Sequence, residues 1–216
     1  MKKAMILLCL LASSTILIGQ RSYIGLQAGF PTISWLGGNI EDKTIRWNLL
    51  NPGLSGKIGL TERMDIRVEA RMAFMGAWIN FPETEPVDEK IKFKYFQFPM
   101  LLSFEFYDGF TFQFGGYYGK LYKAKWYNVG DKASSTFVAV VTAGIVDDTD
   151  KYIITDWCNL HVAGFLIGIG YQGYDTYLGI RYQHGLQNNF KSGNYTAYNR
   201  GLEIIWEVNP VSIFRK

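Results

Sequence analysis

The chain has 216 residues, enough for one domain with a sizeable core, and 22 Lys plus Arg against 19 Asp plus Glu leave a formal charge of +3. That small excess comes without a basic run, so composition gives no indication of nucleic acid as a partner. Aromatic residues at 16% and 23 glycines against 6 prolines point to an all-β chain.

The N-terminal stretch, MKKAMILLCLLASSTILIGQ, sets Lys2 and Lys3 ahead of a mostly apolar run from Ala4 to Ile18. This layout predicts a secretory signal peptide over residues 1–19, cleaved after Gly19, with one barrel domain over 20–216. The competing reading is a membrane anchor, but the run is short of the roughly 20 apolar residues that a spanning helix needs. Cys9 lies inside the run, so the exported chain would keep Cys158 alone and form no internal disulfide.

Alternation and turn signals then predict eight strands, at about 22–30, 53–61, 65–80, 91–106, 110–126, 155–172, 176–190 and 198–208. Three connections are tight (Thr61–Met64, Tyr107–Gly109 and Gly173–Asp175), and four are long (31–52, 81–90, 127–154 and 191–197). Short and long connections alternate, which predicts an eight-stranded antiparallel up-and-down transmembrane β-barrel with short periplasmic turns and longer external loops. Closure into a ring would leave no strand edge unpaired in hydrocarbon.

The stretch DIRVEARMAF carries Asp65, Arg67, Glu69 and Arg71 on one face and Ile66, Val68, Ala70, Met72 and Phe74 on the other. A charge on the lipid face costs ~2–4 kcal/mol at the midplane, so four would cost on the order of 10 kcal/mol, comparable with a whole domain's stability. The four charges are therefore expected inside, pairing with Lys57, Glu105, Arg181, Glu203 and Glu207 in a lumen network of nearly balanced sign. Further along, Phe96, Phe98, Met100, Leu102, Phe104 and Phe106 oppose Gln97, Ser103 and Glu105. Leu202, Ile204, Trp206 and Val208 likewise oppose Asn199, Gly201, Glu203 and Glu207.

Lys92, Lys94, Lys120, Asn159 and His161 share parity with lipid-facing residues but fall towards the long-loop ends, which places them at the external interface or next to a bulge. Trp78, Trp126 and Trp157 near that end, and Trp206 near the other, are expected to form an aromatic girdle. Within the longest connection, STFVAVVTAGIV at 135–146 is too apolar for a solvated loop. It predicts an external hairpin turning at Asp147–Asp150, with Phe137, Val138, Val140, Val141 and Ile145 as a surface for a partner or for self-packing.

Gly168-Ile-Gly170-Tyr-Gln-Gly173 matches a dinucleotide fingerprint, but that motif needs a following helix, and YDTYLGIRYQ alternates as a strand. His161 and His184 are the only histidines and have no metal-ligand spacing, so no metal or cofactor is indicated. The inward carboxylates Glu69, Glu105 and Glu203 have the chemistry of a general acid and base, but ion pairing in the lumen accounts for them without catalysis.

Several segments together resemble the outer-membrane β-barrel family of the Bacteroidota that includes PorT-like proteins, and more loosely the OmpX-type eight-stranded barrels. They are Tyr95-Phe-Gln-Phe-Pro99-Met-Leu-Leu, FTFQFGGYYG from Phe110 to Gly119, Arg181-Tyr-Gln-His-Gly185-Leu-Gln-Asn188, and the stretch from Asp156 through the Gly168/Gly170 pair. Asn199-Arg-Gly201-Leu-Glu-Ile204-Ile-Trp206 resembles the last-strand signal read by the barrel-assembly machinery, although ten residues follow it, to Lys216. The resemblance implies an outer-membrane location, no single activity for the family, and protein secretion as the work of its namesake.

An eight-stranded barrel is just wide enough for its own side chains. The first expectation is thus a non-enzymatic outer-membrane barrel with a filled lumen, acting on its surroundings through external loops. A subunit of a secretion or envelope complex is the second, and passage of lipid or small molecules the third. Membrane lipid, the barrel-assembly machinery and an envelope or secretion protein are the partners these readings require.

Overall fold

A computed structural model of the chain describes residues 22–38, 41–43, 50–80, 89–128, 146–148, 151–191 and 196–209. Eight long strands run through these residues: β1 Tyr23–Gly38, β2 Asn51–Gly59, β3 Met64–Asn80, β4 Glu89–Tyr107, β5 Phe110–Asn128, β6 His161–Gln172, β7 Thr176–Gly185 and β8 Ala197–Val208. Each pairs antiparallel with its neighbour in sequence. β8 then pairs back on β1, from Leu26↔Val208 to Gly38↔Ala197. The ladder is a closed ring, so the fold is an eight-stranded antiparallel up-and-down β-barrel, with every long strand paired on both sides. No helix among the described residues is long and apolar enough to cross a membrane, which says nothing of crossing by strands.

The tight turns lie together at one end. Between β2 and β3, the Thr61 hydroxyl accepts from the amides of Arg63 (3.3 Å) and Met64 (3.0 Å). Between β4 and β5 stands an Asp-Gly pair with positive φ at both positions, 30° at Asp108 and 83° at Gly109. That backbone matches strand twist in two-residue hairpins and suits glycine at the second site. The Gln172 amide donates to the Gly109 carbonyl at 2.7 Å, tying two of these turns together.

The observed strands depart from the expected ones in three places. β1 continues past Phe30 to Gly38, because a bulge between Pro31 and Ile33 absorbs the proline without breaking the ladder to β8. β6 begins at His161, not 155: the preceding chain forms a short 3-10 turn, Thr155–Trp157, and then bridges Cys158 to Phe190. β7 ends at Gly185, since residues 186–190 leave the ladder to join that same bridge. Two short strands, Val146–Asp148 and Lys151–Ile153, pair antiparallel, and the second continues along β5 from Lys125 to Tyr127. A third, Glu41–Lys43, pairs with Trp78–Asn80 of β3.

A bulge on β5 has the largest consequence. Lys94 pairs with Lys123 but Tyr95 with Leu121, so Tyr122 is an extra residue and parity reverses beyond it. Ala124 and Trp126 consequently turn inward, at 0% and 4% exposure. Trp126 therefore belongs to the interior and not to a girdle. Trp157 stands half-exposed on the 3-10 turn and Trp206 half-exposed on the outer face of β8, while the side chain of Trp78 lies outside the described set.

Candidate functional site: a barrel interior of opposite polarity to its wall

Strand alternation sorts the chain into an apolar outside and a polar inside. Exposed, outward-facing apolar side chains occur on all eight strands, among them Leu26, Leu54, Val68, Phe98, Phe112, Ile169, Leu178 and Trp206. Lys57, Asp65, Arg67, Glu69, Arg71, Arg181, Glu203 and Glu207 are meanwhile all at most 8% exposed. These eight comprise four cations and four carboxylates, so the buried charge balances among the described residues.

The pairs form across the lumen, from β3 to β7 and β8. Arg181 holds Glu69 in a bidentate fork, with both N–H···O distances 2.8 Å, and also donates to Gln113 Oε1 at 3.2 Å. A planar guanidinium suits this task because its parallel N–H groups match a carboxylate edge. Arg71 donates to Glu203 Oε2 at 2.5 Å and shares Gln97 Oε1 and Gln183 Oε1. The other Glu203 oxygen accepts from Asn51 Nδ2 at 2.8 Å, and Asn51 Oδ1 accepts the Phe74 amide at 3.0 Å.

Nearer the tight turns, Arg67 donates to Glu207 Oε2 at 3.1 Å and to Gln172 Oε1, with its guanidinium carbon 4.1 Å from the Tyr177 ring centroid. The Tyr23 hydroxyl donates to Glu207 Oε1 at 2.6 Å. Asp65 lies 3.1 Å from Lys57 Nζ and 3.5 Å from Arg67 Nε. Glu105 lies partly exposed at the β4–β5 turn, where its Oε1 accepts the Gly109 amide at 3.1 Å.

Glycine makes room for this arrangement at several points, among them the Tyr177 ring. A Cβ on Gly179 would lie 2.7 Å from Tyr177 Cζ and 2.8 Å from the Ile169 carbonyl, and one on Gly170 would press on the same Tyr177 ring. The dinucleotide-like glycines Gly168 and Gly170 thus sit inside β6 and are followed by strand β7.

The loop half of the lumen is apolar, which sequence reading missed. Ala73, Met75, Ile91, Phe93, Leu121, Ala124, Trp126 and Val162 form a buried cluster closed above by Ile154, Cys158 and the half-buried Phe190. At its edge the Tyr95 hydroxyl donates to Asn189 Oδ1 (3.2 Å) and accepts from Asn199 Nδ2 (3.0 Å). Asn159 Nδ2 donates to the carbonyls of Asn188 (2.8 Å) and Phe190 (3.2 Å), clasping the two capping segments together. Asn159 therefore precedes β6 and belongs to this clasp. Burial pushes the Cys158 thiol up to about 12.

Of the residues resembling an assembly signal, Asn199 and Gly201 are buried inside and Ile204 and Trp206 face outward. Phe137, Val138, Val140, Val141 and Ile145 lie outside the described residues. Gln97, Gln113, Gln172, Gln183, Tyr23 and Asn51 complete the network. Gln97, Gln113 and Gln183 alternate with outward-facing apolar residues, so the sequence already placed them inside, but nothing in it marked them as partners.

The ring and its reversed polarity define an eight-stranded antiparallel barrel filled by its own side chains. No protein-family model matches the sequence, and no curated protein matches it. Among solved structures it is similar to Neisserial surface protein A, with a TM-score of 0.44, 11% identity and coverage of 87% of this chain and 96% of that one. It is similar too to Ail, the attachment invasion locus protein of Yersinia pestis (0.38, 12%, 86% and 97%). A third is the outer membrane protein OprG from Pseudomonas aeruginosa (0.37, 9%, 88% and 95%). At this distance the likeness carries nothing about activity, and the barrel rests on its own closed ladder.

Proposed function

We propose that the chain is a non-enzymatic integral outer-membrane protein, exported by its N-terminal segment and inserted by the barrel-assembly machinery. In this reading the tight turns face the periplasm, and the long connections act outside, in surface interaction or envelope integrity. The observation that carries it is the reversed polarity. On β4, exposed apolar residues run from Phe96 to Phe106. At ~3.4 Å per residue and a typical 40° tilt that band is about 26 Å tall, the height of the apolar belt of outer-membrane barrels. Side chains fill the lumen: Gln97, Gln113, Glu69 and Arg181, which face it from four different strands, are all 2% exposed or less. An open pore would leave them wet, so solute passage is not favoured.

An outer-membrane fraction should show a heat-modifiable band, and purified protein in planar bilayers should give no steady open channel. Recovery as a soluble periplasmic protein would end the membrane reading, and a large native conductance would end the filled-lumen reading. A second reading, an envelope or secretion subunit, draws on the PorT-like segments around Tyr95–Leu102 and Arg181–Asn188. A photoreactive residue at Val140 that captures one discrete envelope protein in cells would support it, and no capture would count against it.

A further inference from the structure

Among the described residues, the eight buried charges come from two strand pairs that face each other across the lumen. β2 and β3 carry Lys57, Arg67 and Arg71 against Asp65 and Glu69, three cations to two carboxylates, for a sum of +1. β7 and β8 carry Arg181 against Glu203 and Glu207, one to two, for a sum of −1. β1 alone separates the two pairs on the side where the ring closes. Four of the charges stand at the corners of a square. Glu69 and Arg71 are same-face neighbours on β3, and Arg181 stands directly opposite Glu203 in the β7–β8 ladder. Directly opposed residues have Cβ atoms about 5 Å apart, and same-face neighbours along a strand lie about 7 Å apart. Arginine spans either gap: Arg67 Nε lies 3.5 Å from Oδ1 of its own same-face neighbour, Asp65. Signs alternate around the square, so pairing along each wall would match every corner charge. The folded barrel nevertheless pairs them across the lumen, Arg181 with Glu69 and Arg71 with Glu203.

We propose that this square is a latch that exchanges partners as the ring closes. Before β8 meets β1, Glu69 pairs with Arg71 and Arg181 with Glu203, so each strand pair enters the bilayer with no lone charge at these positions. An ionised side chain without a partner is strongly disfavoured in hydrocarbon, and pairing along the wall removes that barrier to insertion. The two walls, of opposite net sign, then meet, and the four side chains swap to the cross-lumen pairs seen in the folded barrel. Those pairs hold β3 against β7 and β8 while the β1–β8 seam forms. The inference rests on the membrane-spanning reading.

The test follows refolding of the full chain from urea into thin phosphatidylcholine vesicles, with the heat-modifiable band marking completed barrel. E69L/R181M and R71M/E203L each keep one cross-lumen pair but strip its two members of their partners along the wall. Both should fold at least tenfold more slowly than wild type. Both should also unfold more slowly by a similar factor, because the lost pairing belongs to the barrier and not to the folded barrel. E69L/R71M/R181M/E203L leaves no corner charge to match and should fold at least as fast as wild type. Slowing in the double variants that the quadruple variant reverses is an outcome that lumen filling alone does not produce. If one double variant gives no barrel, the other and the quadruple variant make the same comparison. Double variants that fold at the wild-type rate, or a quadruple variant slower than either, overturn the proposal. Wild type that gives no heat-modifiable band sinks the membrane reading and the latch with it, whereas equal rates in inserted protein sink the latch alone.

Discussion

Replacing Glu69 by Gln tests the filled lumen at its most buried point. Both side chains of the Glu69–Arg181 pair are at most 2% exposed, and the carboxylate takes two guanidinium N–H groups at 2.8 Å. Without that charge Arg181 keeps Gln113 Oε1 at 3.2 Å as a hydrogen-bond acceptor, and its guanidinium stays in a site that water does not reach. Breaking a buried pair in this way costs ~3–5 kcal/mol, which at ~1.4 kcal/mol per tenfold is about two to four powers of ten in the folded population. Arg181→Met should cost a similar amount by stranding Glu69. The double variant E69L/R181M removes both charges and should lie within about 1 kcal/mol of wild type or above it. Equilibrium urea unfolding in thin phosphatidylcholine vesicles, followed by tryptophan fluorescence, reads these differences as midpoint shifts at constant slope. Single variants that each lose less than about 1 kcal/mol, as exposed pairs do, would mean that the lumen is wet at this height. The filled-barrel argument would then fail.

Two further outcomes follow from the geometry. Gly179→Ala would push a methyl against Tyr177 and the Ile169 carbonyl and should cost ~1–3 kcal/mol; a penalty undiminished in a Tyr177→Ala background would refute the contact as its cause. The folded Cys158 thiol titrates near 12 in place of about 9, so its contribution to stability is full below the lower value and is lost as pH climbs towards the upper one. Folded protein should resist maleimide at neutral pH and react once unfolded, and Cys158→Ala should flatten the alkaline loss of stability; immediate labelling of the folded form would contradict the burial.

Strand period and turn chemistry act between near neighbours, so the sequence alone determined much of this architecture. Alternation along 65–74 placed Asp65, Arg67, Glu69 and Arg71 on one face, and the desolvation cost of lipid-facing charge decided which face that was. Alternating short and long connections determined the up-and-down ring. Which charge meets which was a different matter. Glu69 finds Arg181 and Arg71 finds Glu203 from more than a hundred residues away, because strand tilt and stagger bring β3 opposite β7 and β8 across the lumen. The Tyr122 bulge likewise left no trace in local composition. It inserts one residue against a partner strand, and that partner's register alone defines it. Tertiary pairing thereby sent Trp126 inside to build an apolar plug and turned Lys123 and Lys125 outward beside Lys92 and Lys94. A one-residue shift exchanges the two faces of a strand, and only the neighbouring strand fixes where the shift falls.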